Sequence, residues 1–149
     1  MNNNSFYEAN YGDSRFVLFQ IFKNFFDEKS ESPISEIFNE VINRNSQEKA
    51  LSVEEYLNQI DDDFLSQMMV GIVDNLDQIN QILSSTNEKN LTFDEQIILK
   101  LIIFELKFLP ENSAQSIFEE YQKICKNNSI KYPQNFVIEL IKNLREFEF

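Results

Sequence analysis

The 149-residue chain contains no His, no Trp, one Cys, two Gly and three Pro. Without His there is no Ser-His-Asp or Cys-His pair and no imidazole metal ligand. Nor does any side chain titrate near neutrality by default. One Cys excludes an intramolecular disulfide and a thiolate zinc cluster. Gly12 and Gly71 lie too far apart to form a Walker loop or a GxGxxG turn. What is present is ordinary for a globular protein: 42% hydrophobic and 26% charged residues. A chain of this length buries roughly 70% of the surface its unfolded form exposes, enough for one domain. These absences point to a cytoplasmic, helix-rich module that is not an enzyme.

Met1-Asn2-Asn3-Asn4-Ser5 is not a basic stretch leading into an apolar run, so no secretory leader is expected. The most apolar stretch, Ile97 to Leu109, is interrupted by Lys100, Glu105 and Lys107. As a helix from Phe93 to Phe108 it would be about 24 Å long, short of a bilayer core of about 30 Å. It reads as a buried helix, and the lone Cys125 as a packed, unreactive thiol.

Residues 1–12 are polar and aperiodic and are expected to form a flexible arm, with a single helical domain over 13–149. From Asp13 the apolar spacing is helical, with Leu18, Phe22 and Phe25 flanked by Phe19 and Phe26. Ser32-Pro33 signals a helix start, Ser as N-cap and Pro at the first helical position, with Ile34, Ile37, Phe38, Val41 and Ile42 as its face. Asn43 to Ala50 reads as a loop. Ser52 with Glu55 is a capping box opening a short helix to about Ile60. One long helix is expected after Asp61-Asp62-Asp63, its stripe running Leu65, Met68, Met69, Ile72, Leu76, Ile79 and Leu83. Thr92 with Glu95 opens a central helix that is apolar nearly all round. Pro110 ends it, Asn112 or Ser113 caps the next, and Asn127-Asn128 suit a left-handed helix end. Pro133 starts the last helix, with Phe136, Val137, Leu140, Ile141 and Leu144 inward. No run alternates with period two, so the chain reads as all-α with about seven helices.

Three features bear on function. The acids Asp61 to Asp63, with Glu54 and Glu55, have metal-binding chemistry, but calcium-loop spacing and its Gly are missing. Three acids at a helix start are favoured by the helix dipole alone, so the structural reading leads. The Met and Phe residues at helical spacing read as core. Charge is unevenly spread over the net −12. Residues 1–63 hold 13 acids and 5 bases, a balance of −8. Between Tyr121 and Arg145 the balance reverses: Lys123, Lys126, Lys131, Lys142 and Arg145 against Glu139 alone, +4. Tyr121, Tyr132 and Phe136 lie among these bases. Cations interleaved with aromatics suit single-stranded RNA, where phosphates need charge and unstacked bases need flat partners. A solvated helix face with buried rings is the plainer reading, and on spacing alone it leads.

Four segments, in order, resemble the NusB family of antitermination factors. Leu99-Lys100-Leu101-Ile102-Ile103-Phe104-Glu105-Leu106 is similar to that family's Leu-Arg-Ile-x-x-Tyr-Glu-Leu. Phe64 to Ile72 resembles its aromatic-x-x-x-Leu-x-x-Gly-Val. Glu120 to Lys126, after Pro110, resembles Asn-Glu-Ala-x-x-Leu-Ala-Lys, and Phe136-Val137 with Leu140-Ile141 resembles Phe-Val-Asn-Gly-Val-Leu. Arg15 and Gln20 match an Arg and a Gln five apart in the opening motif. The resemblance spans roughly residues 13–145. It implies two packed helical subdomains, no catalysis, no cofactor and no small-molecule substrate or membrane. It also implies binding of boxA RNA together with the ribosomal protein NusE.

Two departures fall on the surface the family uses. Its Arg-rich opening is Tyr11-Gly12-Asp13-Ser14-Arg15 here, and the Asn-Gly after Phe-Val is Ile138-Glu139. The expected function is therefore a NusB-like factor in antitermination, elongation or rRNA transcription that binds RNA weakly alongside a ribosomal-protein partner. Its expected RNA contacts are Arg15, Gln20, Lys123, Lys126, Lys131 and Lys142, with Tyr132 and Phe136 facing a partner. The alternative is an acidic protein–protein module of the same fold that has lost RNA binding.

Overall fold

A computed structural model of the chain describes residues 11–85 and 90–145. Among the described residues it is all-helical, with eight helices and no strand. They are α1 (Tyr11–Phe25), α2 (Ile34–Glu48), α3 (Val53–Leu57), α4 (Asp62–Asp74), α5 (Leu76–Ser84), α6 (Phe93–Phe108), α7 (Ala114–Asn127) and α8 (Gln134–Arg145). The chain divides into two compact units, Met1–Met69 and Val70–Phe149. The arm expected over residues 1–12 lies outside the described residues except for Tyr11 and Gly12, which belong to the first turn of α1.

In the first unit α1 packs on α2 and α2 on α3. Val17, Leu18, Phe19, Ile21 and Phe22 of α1 are buried, as are Ile37, Val41 and Ile42 of α2. Two expectations shift here. Pro33 is itself the N-cap, in extended conformation, and its carbonyl accepts from the N–H groups of Glu36 and Ile37. The expected loop over Asn43 to Ala50 is instead the second half of α2.

That half-helix carries Asn45 and Ser46 on its buried face, where an apolar stripe would have announced it. Both are satisfied: Asn45 exchanges amide hydrogen bonds with Gln20 at 2.8 and 3.3 Å and donates to Tyr56 Oη at 3.0 Å, and Ser46 donates to the Asn43 carbonyl. Ala50, at φ 56°, then ends the helix: Ala50 N–H bonds the Gln47 carbonyl and Leu51 N–H the Ser46 carbonyl, a Schellman end.

The second unit is built round α6. Its Thr92–Glu95 capping box forms as expected, and Ile97 to Leu99 and Leu101 to Leu106 are buried. α5, α7 and α8 each pack against α6. The one helix expected after Asp61-Asp62-Asp63, with its stripe from Leu65 to Leu83, breaks at Asn75 (φ −116°, ψ 21°), whose amide turns back to the Gly71 carbonyl at 2.8 Å. This break turns seven expected helices into eight.

The other ends are local corrections. Ser113 caps α7 by accepting from Ser116 N–H, while Asn112 is buried and serves a different purpose described below. The left-handed residue after α7 is Ser129 (φ 56°) rather than Asn127 or Asn128. The Ile130 N–H then closes the helix end onto the Cys125 carbonyl at 2.9 Å.

Among the described residues, no helix is long and apolar enough to cross a membrane.

Candidate nucleic-acid interface

Two of the expected RNA contacts are parts of the interior. Arg15 is wholly buried in α1, with its guanidinium carbon 5.6 Å from the centre of the Phe64 ring. A phosphate contact needs a cation at the surface, so Arg15 is corrected to a core residue, held partly by the attraction of its charge to the ring face. Gln20 is half-buried and committed to the amide pair with Asn45. This pair ties α1 to α2.

Two of the three aromatics among the bases are also interior. Phe136 is 2% exposed and cannot present a partner surface. Tyr121 is fully buried and donates its hydroxyl to Glu105 Oε2 at 2.5 Å. For both, the plain core reading holds. Arg145 likewise leaves the basic set. Its guanidinium donates to the carbonyls of Leu106 (2.6 Å), Asn112 (2.8 Å), Leu109 (2.9 Å) and Glu105 (3.1 Å). The Leu106 carbonyl belongs to the last turn of α6, those of Glu105 and Leu109 also accept from the N–H groups of Leu109 and Asn112, and Asn112 lies just beyond the helix; a cation at this end is also favoured by the helix dipole.

The four lysines fare differently. Lys123, Lys126, Lys131 and Lys142 are all exposed. Lys123 and Lys126 share one face of α7 and border a groove of about 560 Å3 completed by Gln122, Ile130 and Tyr132. Lys123 approaches Glu120 at 3.5 Å with its own side chain 68% exposed, a pairing weak enough to exchange for a ligand. Lys131 is exposed in the adjoining loop, and Lys142 in the last turn of α8.

Tyr132 is half-buried, with its ring edge-on to Phe118 at 5.3 Å and its hydroxyl donating to the Phe118 carbonyl at 2.9 Å. Burial pushes its pKa well up, so the phenol stays neutral. Gln122 and Ile130 escaped the sequence reading. Gln122 was legible from its spacing to Lys126. Ile130 was not, because it depends on the left-handed turn at Ser129.

The acids expected to be structural are so placed. The Asp61 carboxylate accepts from Phe64 N–H at 2.9 Å, capping α4, while the Asp61 N–H donates to Ser14 at 2.9 Å. Glu55 closes the box on Ser52, and hydrogen bonds from Ser52 lower its pKa. Among the described residues no group of acids or Cys is arranged to hold a metal.

The same buried features account for the most specific of the family-like segments. Glu105 is fully buried and accepts from Tyr121 and from Asn112 Nδ2 (3.0 Å), and the backbone at Glu105 and Leu106 receives Arg145. Gly71, in the second segment, lies against the Phe104 ring, where a Cβ would collide with Cζ and Cε1. The sequence profile of the NusB family matches residues 13–137. The chain belongs to the NusB family. It is thereby a relative of non-enzymatic factors that act in transcription antitermination and bind RNA and partner proteins. No curated protein and no solved structure matches the chain. Within a NusB-family frame, the Glu105 segment is a folding motif, whereas the exposed lysines stand outside the matched motifs' buried positions.

Proposed function

We propose that this NusB-family chain acts in transcription antitermination, elongation or rRNA transcription. In this reading it binds boxA-like RNA weakly through Lys123, Lys126, Lys131 and Lys142, together with a NusE-type ribosomal protein. The observation that carries this reading is the segregation of exposed cations. Four lysines stand exposed between residues 121 and 145, against the single acid Glu139, on a chain of net charge −12. Four phosphate contacts to a single strand give a salt slope of only about −3, compatible with weak binding that needs a second protein.

Residues 1–69 carry 13 acids and 5 bases, a balance of −8 that suits a basic ribosomal protein, since opposite charge speeds encounter and rejects wrong partners. Anisotropy of labelled boxA-like RNA at low salt, with and without the ribosomal protein, tests this. Binding that tightens when the protein is added supports the reading. No binding at any salt sinks it.

A second reading is favoured by the burial of Arg15 and the commitment of Gln20. With both withdrawn from the surface, the chain would be an acidic interaction module that captures its protein partner without RNA. Capture of the ribosomal protein by an RNA-free sample that also fails to shift RNA identifies this case.

A further inference from the structure

We propose that the groove at the end of α7 seats the segment Glu146-Phe147-Glu148-Phe149 of a second copy of this chain, its carboxylates on Lys123 and Lys126. Such a contact needs no RNA and forms whether or not the chain binds any.

The groove has two kinds of wall. Ile130 and the half-buried Tyr132 ring supply apolar surface, and the exposed ammonium groups of Lys123 and Lys126 stand at its border. Lys123 and Lys126, three residues apart on α7, lie about 5–6 Å from each other at Cβ. The segment that follows Arg145 alternates acid and phenylalanine. An extended strand rises about 3.3 Å per residue and turns alternate side chains to opposite sides, which sets its two acids on one edge about 7 Å apart and its two rings on the other. The acids then meet the lysines while the rings meet Ile130 and Tyr132. The stretch over residues 1–10 offers one acid, Glu8, and does not match the lysine pair.

The receiving wall is held before any ligand arrives. The Tyr132 hydroxyl donates to the Phe118 carbonyl, its ring is braced by the Phe118 ring, and the Ile130 N–H bonds the Cys125 carbonyl. Burial keeps the phenol neutral, so no phenolate opposes a carboxylate there. Seating the segment therefore orders little besides the segment itself.

Reach decides which copy supplies it. Arg145 is tied to the carbonyls of Glu105, Leu106, Leu109 and Asn112, ahead of the first residue of α7, whereas Lys123 and Lys126 lie in its last two turns. From Ala114 to Lys126 is about 18 Å of helix. Four extended residues span at most about 14 Å, too short to seat both phenylalanines in the groove of their own chain. A second copy has no such limit. The contact is head-to-tail, since each copy offers one groove and one segment. The net charge of −12 on each copy opposes the approach, so association grows only with protein concentration. Where it forms, it covers the two lysines and withdraws them from any competing anion.

The test is sedimentation velocity of the full chain across a wide concentration range, beside two variants. Phe147→Ser/Phe149→Ser keeps the groove and loses the segment; Lys123→Glu/Lys126→Glu keeps the segment and loses the groove. The wild type is expected to gain mass with concentration, and each variant alone to stay monomeric with the wild-type melting temperature. Mixed in equal amounts, the two variants are expected to form a one-to-one pair, with NMR signals of Ile130 and Tyr132 shifting in the copy that keeps the groove.

A wild type that stays monomeric throughout, association that survives loss of both phenylalanines, or a mixture that stays monomeric overturns the proposal. So does a difference at Ile130 and Tyr132 between the wild type and Phe147→Ser/Phe149→Ser that is independent of concentration, which would put the segment in its own chain's groove. No RNA is present in this test, so the RNA reading stands or falls separately, by the anisotropy measurement above.

Discussion

Tyr121 and Glu105, on adjacent helices α7 and α6, are both fully buried and joined by a hydrogen bond from phenol to carboxyl of 2.5 Å. A buried carboxyl of this kind is tolerated only when its oxygens find donors. Asn112 supplies the other, so the interior of the second unit is locked by a polar node instead of by apolar packing alone.

Tyr121→Phe removes one donor and leaves Glu105 Oε2 without that hydroxyl in the interior. The expected loss is about 1–3 kcal/mol of unfolding free energy, read as a lower urea midpoint with unchanged slope. A change below about 0.5 kcal/mol would show that the node contributes nothing of its own.

Arg145→Lys keeps the charge and discards the planar fork that reaches the carbonyls of Glu105, Leu106 and Leu109 at the α6 end and of Asn112 just beyond it. We expect a loss of about 2–4 kcal/mol by chemical denaturation, because those acceptors lose their shared donor. The folded variant should keep the wild-type salt slope for RNA, as Arg145 touches backbone and not phosphate. A reduced slope would return Arg145 to the interface.

Gly71→Ala places a methyl on the Phe104 ring, which is 3% exposed and stacked on Phe108 at 5.0 Å, and so has little room to yield. Overpacking of this kind costs about 1–3 kcal/mol. Phe104→Leu in the same chain should recover part of it, a coupling that a double-mutant cycle measures directly.

Burial, with smaller contributions from Glu95 and Asp94, pushes the Cys125 thiol up to about 12 from an ordinary value of 9.0. The folded chain therefore holds that proton where the unfolded chain has released it. This contribution to stability is whole below about pH 9 and declines as pH rises from 9 towards 12. Stability measured against pH should fall across that window more steeply than in Cys125→Ala. Disulfide reagents should label the thiol only as fast as the protein opens.

Most helices were legible because their apolar residues recur at helical spacing and their starts carry Ser-x-x-Glu or Thr-x-x-Glu signatures, which form as written at Ser52 and Thr92. What escaped was polar chemistry turned inward. Asn45 and Ser46 occupy core positions on α2, and Asn75 breaks a stripe that continues through it, so periodicity alone read a loop in one place and a single helix in the other. The candidate site was half legible for the same reason. Charge counting marks Arg15, Arg145 and the four lysines alike. It cannot see that one arginine packs on Phe64 and the other holds a helix end, whereas the lysines remain in solvent.

The central claim is that RNA is held by lysines of residues 123–142 and not by the opening helix. It is tested most directly by the salt dependence of boxA-like RNA affinity in the wild type and in Lys123→Gln/Lys126→Gln. The expected result is a finite wild-type slope that falls in magnitude by about 1.4 when two phosphate contacts are removed, with the melting temperature unchanged. Identical slopes in the two proteins, or a wild-type slope of zero, would contradict it.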